Sequence, residues 1–151
     1  MDITDNTIHD WLERLTQKTR YVTLVIDACH SGTITREAFA ATNRTGPFDD
    51  REPLEMVAGD EERPRRKKGK SGWLAESENY VAISGCEDHE VSKEASFGDA
   101  GTMGRHGALT FNLVKALMDV KPGTTYRDIY EIASTNVTAR FKTQHPQIQG
   151  A

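Results

Sequence analysis

The sequence predicts an α/β layered fold, and three observations carry the prediction. Two short, β-branched and almost wholly apolar runs, Tyr21–Ile26 and Tyr80–Ser84, read as strands buried on both faces, as in a parallel sheet flanked by helices. Apolar stripes at helical spacing precede the first run and follow the second. The resulting order, helix–strand–loop–strand–helix–helix, is that of helices layered on a sheet.

Each element has a local reason. Ile8, Trp11, Leu12 and Leu15 recur at i, i+3, i+4, i+7, behind the polar starters Thr4, Asp5, Asn6 and Thr7. His9 lies off that stripe and reads as solvated. The first strand ends at Asp27-Ala28-Cys29-His30-Ser31-Gly32. From Thr33 to Ser77 the periodicity dissolves, and the block Arg63–Lys70 reads as part of a loop. After the second strand a polar, glycine-bearing stretch runs from Gly85 to Gly107. Leu109, Leu113, Ala116 and Leu117 mark a helix closed by Lys121-Pro122-Gly123. Thr125, with Asp128 three residues on, caps a last helix carrying Tyr126, Ile129, Tyr130, Ala133, Val137 and Phe141.

Composition bounds the function. At 151 residues, one domain is the natural expectation. The sequence holds no apolar run of membrane-spanning length and no signal peptide at its start, so membrane association is not expected. Two cysteines make no disulfide framework, which points to a reducing, cytoplasmic setting. The net charge is −4. Without the six basic residues of Arg63–Lys70, 13 basic residues face 23 acidic ones, a net −10. Such a chain is a poor nucleic-acid binder. The 36% hydrophobic content is thin. Part of the chain lies outside a core, or part of the domain lies outside this sequence.

Cys29 is the sharpest chemical feature. It follows the carboxyl end of a buried strand, where α/β proteins place their sites, in the company of Asp27, His30, Ser31 and Gly32. A cysteine nucleophile needs a base and oxyanion donors. No spacing singles out the base: His30 is adjacent and points elsewhere on extended backbone, and His89, His106 and His145 reach Cys29 only through the fold. Cys86 lies two residues after the second strand, but no C-x-x-C or paired-histidine spacing supports zinc. No phosphate-binding glycine motif is present.

Four segments, in order, resemble the metacaspases and related caspase-fold peptidases. Val25-Ile26-Asp27-Ala28-Cys29-His30-Ser31-Gly32 is similar to their catalytic-cysteine segment, D-x-C-H-S-G after an apolar strand. Ser84-Gly85-Cys86-Glu87-Asp88, followed by Val91-Ser92, resembles the opening of their small-subunit half. Gly107-Ala108-Leu109-Thr110-Phe111 resembles that half's G-A-[FM]-[ST]-[YF] helix start, and the segment ending in His145-Pro146-Gln147-Ile148 its closing Q-x-P-Q motif. The resemblance implies a three-layer α/β/α caspase-like domain with a mostly parallel sheet, lacking its first strands. Residues 1–36 would be the cysteine-bearing segment, 37–77 a flexible charged loop and 78–151 the small-subunit-like half.

The resemblance also implies roles. Cys29 would attack a peptide carbonyl and form a thioester. Asp27 would sit in the primary specificity pocket and pair with Arg or Lys, a charge-assisted contact, and Ser84 and Asp88 would join it in binding substrate. From the residues alone, Asp27 is otherwise a turn or helix-cap residue. The basic loop Arg63–Lys70 offers the favoured residues for processing between the halves. The family's catalytic histidine precedes the cysteine in an H-G motif, and residues 1–28 contain none; His106-Gly107 falls in the small-subunit half instead. The expected partners are a peptide substrate and the upstream segment. No cofactor is required. Calcium is admitted, with Asp5 where one of the family's ligands lies ahead of the first helix, although Arg36 stands where another acid is expected. The function implied is a cysteine endopeptidase cleaving after Arg or Lys. The alternative is an inactive caspase-fold module that binds or regulates a partner.

Overall fold

A computed structural model describes residues 5–28, 41–43, 78–87, 89–98 and 103–150. The elements in chain order are α1 (Asp5–Thr16), β1 (Thr23–Ile26), β2 (Ala41–Asn43), β3 (Val81–Ser84), β4 (Lys93–Phe97), β5 (Gly104–Gly107), α2 (Ala108–Met118), α3 (Tyr126–Arg140) and β6 (Gln147–Gln149). They form two three-stranded sheets, ordered β1-β3-β6 and β2-β4-β5.

β3 is the centre of the first sheet, and all four of its residues are buried. Its side chains alternate between two cores, as the pleat requires. Val81 and Ile83 pack with Leu109, Leu113 and Ala116 of α2 and Ile129 and Ala133 of α3. Ala82, with Tyr80 just ahead of the strand, packs with Leu12 of α1, joined by Ile8, Val22 and Leu24. Helices therefore cover both faces, the three-layer arrangement expected. A third core of Ala95, Phe97, Ala108 and Val137 lies under the second sheet, where Phe97 stacks on Phe111 at 4.5 Å between ring centroids.

The pairing is mixed rather than mostly parallel. β1 runs parallel to β3, with Leu24 opposite Ala82, but β6 is antiparallel to it, with Ile148 opposite Ile83. Two helices, not one, intervene before β6, so the chain returns to the sheet reversed. β1 departs from the expected two-sided burial: Leu24 and Ile26 are half-buried while Thr23 and Val25 are exposed. α2 and α3 lie over β3 and β6 and leave that face of β1 uncovered among the described residues. The polar stretch 85–107 contains a hairpin, β4–β5, with Ala95 opposite His106, and Ala41–Asn43 within the expected loop pairs with β4. The rest of 33–77, including Arg63–Lys70 and Arg36, lies outside the described residues. α1 begins at Asp5 itself rather than after it. His9 is largely covered and bonds Glu13 at 3.0 Å, not solvated as its position off the stripe suggested.

α3 has a full capping box: Thr125 Oγ1 accepts from the Asp128 N–H, and the Asp128 carboxylate accepts from the Thr125 N–H. These bonds from Thr125 hold the Asp128 carboxyl below its ordinary value of 3.8. A lowered carboxyl stabilises the fold above the unfolded-state value and loses that contribution as pH falls through the folded one. The stability difference between wild type and Asp128→Asn is therefore expected at neutral pH and should vanish in acid, as read by urea midpoints across pH. Leu109 is fully buried, and Leu109→Ala should cost about 2–5 kcal/mol in the same measurement.

Candidate active site

Because β1 and β3 are parallel, their carboxyl ends open on the same side, and the antiparallel β6 brings its start to that side too. Four segments converge there: Asp27 after β1, Gly85–Glu90 after β3, the start of α2, and Gln144–Gln147 at the start of β6. This is the crevice where α/β sheets carry their sites. Cys29 and Asp88 lie outside the described residues. Of Asp5 only the backbone is described.

Asp27 is half-buried and binds α2 directly. Its Oδ2 accepts from the Thr110 N–H at 2.9 Å and from the Thr110 hydroxyl at 2.8 Å. The local reason is that α2 starts at Gly107, which has no side chain to cap it. Thr110 is the third residue of the helix, and its N–H is one of those left without a partner inside the helix. Asp27 supplies the missing acceptor from another element, at the helix end whose dipole favours a negative charge. Asp27 is thus a helix cap, although for a helix 83 residues away in sequence.

Gly85 sits under this carboxylate. A Cβ built there would lie 2.0 Å from Ser92 Oγ and 3.0 Å from Asp27 Oδ1. Only glycine allows the three segments to meet. The Gly85 N–H donates to the Ile26 carbonyl at 2.8 Å, extending the β1–β3 ladder. Its carbonyl accepts from Gln144 Nε2 at 2.8 Å.

Gln144 is fully buried and makes a bridge. While Nε2 serves Gly85, Oε1 accepts from the Lys93 N–H at 3.0 Å, and the Gln144 carbonyl accepts from the Thr138 hydroxyl. It ties both ends of the loop between β3 and β4 to α3. Sequence reasoning gave Gln144 no role of its own; its place at the head of the Q-x-P-Q motif was the signal. Ser84 is also buried, and its hydroxyl donates to the Cys86 carbonyl at 3.3 Å. The bond braces the turn that follows β3. Cys86 is fully buried in the same turn.

Glu90 closes the rim. Its Oε2 accepts from the N–H groups of Glu87, at 3.2 Å, and His145, at 2.7 Å, and its Oε1 is hydrogen-bonded to His145 Nδ1. The bond to Glu90 and its charge, with a smaller contribution from Glu87, raise His145 above the ordinary imidazole value of 6.5. Ligand atoms of Glu87, His89 and Glu90 lie within 4.8 Å of one another. They are the described residues with metal-ligand spacing, but Glu90 is already committed to His145. His106 is exposed and stacks on Phe111 at 5.9 Å, beside the third core.

The fold and this crevice define a caspase-type α/β domain. The caspase domain family model matches residues 2–151, and the chain belongs to that family of cysteine peptidases. It is similar to Metacaspase-1 of Arabidopsis thaliana, with 32% identity over 116 residues. That match covers 75% of this chain and 27% of the relative's length. Among the described residues no helix is long and apolar enough to cross a membrane.

Two outcomes follow from the geometry. Gly85→Ala should cost about 1–3 kcal/mol by forcing Ser92 and Asp27 apart, read as a lowered urea midpoint. A raised His145 stabilises the fold below the unfolded-state value and loses that contribution as pH rises through the folded one. A titration followed by NMR should place its midpoint above 6.5, and Glu90→Gln should bring it down.

Proposed function

We propose that the chain is the cysteine-bearing part of a metacaspase-type endopeptidase that cleaves after Arg or Lys. The observation that supports this best is the position of Asp27: a carboxylate anchored at the crevice, two residues ahead of Cys29. An acidic group there complements a basic substrate side chain. In this reading Asp88, which follows Ser84–Cys86 in the sequence, is a second substrate-binding carboxylate. Ser84 contributes by bracing the turn that follows β3.

The Cys29 sulfur adds to the carbonyl carbon of the residue it selects. The tetrahedral intermediate collapses to a thioester as the C–N bond breaks, and the proton from the thiol leaves with the new amine. Water then adds to the thioester, giving the carboxylic acid and restoring the thiol. Residues 1–28 contain no H-G pair, so this reading ties fast turnover to a histidine donated by an associating upstream segment. Without a base, the thiolate forms only as pH approaches about 8.5.

Cleavage of fluorogenic peptides ending in Arg, Lys or Asp should show slow, Cys29-dependent release after Arg and Lys that rises from pH 7 to 9. Equal rates for wild type and Cys29→Ala overturn the proposal. The basic residues of Arg63–Lys70 make it the processing segment in this reading. Intact-mass analysis with calcium present should find cuts there in wild type and none in Cys29→Ala.

A further inference from the structure

We infer that Thr110 is a positioning residue for substrate selection, setting the direction of the Asp27 carboxylate and with it the preference for a cationic side chain. The inference rests on the reading of Asp27 as the selecting carboxylate and adds a residue that nothing in that reading requires.

Thr110 directs both of its donors, backbone and side chain, to a single oxygen of Asp27. Two bonds to one oxygen, through groups at different angles, remove rotation about the side-chain torsions that a lone bond would leave. Gly85 lies close to the other oxygen: a Cβ built there would come within 3.0 Å of Oδ1. The carboxylate is clamped between a helix start and a glycine, and α2 is held in turn by a core of fully or largely buried Leu109, Leu113 and Ala116. A selecting group is effective when its direction is set before the ligand arrives. Thr110 supplies that direction here. The hydroxyl separates the positioning role from the capping role: removing it leaves Asp27 accepting from the Thr110 N–H and so still capping the helix.

Thr110→Val keeps the shape and the N–H bond but loses the hydroxyl, and Thr110→Ser restores the hydroxyl. The full chain is assayed with an Arg peptide and its uncharged citrulline analogue. Binding of agmatine, a free guanidinium side chain, is followed in parallel by NMR, and thermal unfolding monitors the fold. The expected result is that Thr110→Val weakens agmatine binding and narrows the Arg-to-citrulline preference by about tenfold, the factor for one hydrogen bond to a charged group. KM for the Arg peptide should carry the change, and Thr110→Ser should recover it. A wild type that prefers Arg, with Thr110→Val showing the same preference and the same agmatine affinity, overturns the inference and leaves the proposed specificity standing. Equal losses on both peptides, unrecovered by Thr110→Ser, overturn it as well. A wild type that neither prefers Arg nor binds agmatine overturns both.

Discussion

The two-sided burial of β3 is the constraint on which the rest depends. Four residues satisfy two cores at once: Val81 and Ile83 face α2 and α3, and Ala82, with Tyr80 before the strand, faces α1. A one-residue slip would exchange the two faces. Val81 and Ile83 would meet a surface shaped for Tyr80 and Ala82, so the register with β1 and β6 is set by packing before any polar bond forms. Once it is set, the Gly85 N–H must fall opposite the Ile26 carbonyl, and Asp27 must fall beside Gly85. The polar crevice is a consequence of the apolar register.

The crevice is built from capping and bridging groups with structural duties of their own. Asp27 completes α2, Gln144 holds both ends of a loop, and Glu90 gathers two backbone N–H groups and an imidazole. Buried or half-buried polar groups gain most when every partner is satisfied. Here the same bonds that satisfy them also fix the positions of residues flanking Cys29 and Asp88. Stability and site geometry are therefore coupled, and a change at Gly85 or Gln144 acts on both.

Much of this was legible in the sequence, for physical reasons that can be named. Tyr80–Ile83 is apolar at every position a double-faced strand needs, and the stripe from Tyr126 to Phe141 has one period and one cap. Family motifs supplied the order of the site segments. β1 reads as buried on both faces because Val25 is apolar, but apolar character does not reveal whether a helix lies over it. The β4–β5 hairpin was missed because only Ala95 and Phe97 alternate inward, too few for a period-two signal among charged neighbours. The reversal of β6 depends on two helices rather than one, a matter of topology that no residue type encodes. The sequence around Asp27 is compatible with a cap and with a selecting carboxylate; the structure shows a cap, at a helix that sequence proximity could not suggest.

The bridge at Gln144 has a consequence in time. Its partners Gly85 and Lys93 precede it by 59 and 51 residues, and Asp27 reaches 83 residues forward to Thr110. Closing loops of that length is slow relative to forming a helix or a hairpin. During synthesis, α1 and β1 to β5 are made well before the segment that pins the crevice leaves the ribosome. A nascent chain therefore carries Asp27 and Gly85 for many seconds without the later groups that fix them, and the crevice is completed only when the Gln144–Gln149 segment docks.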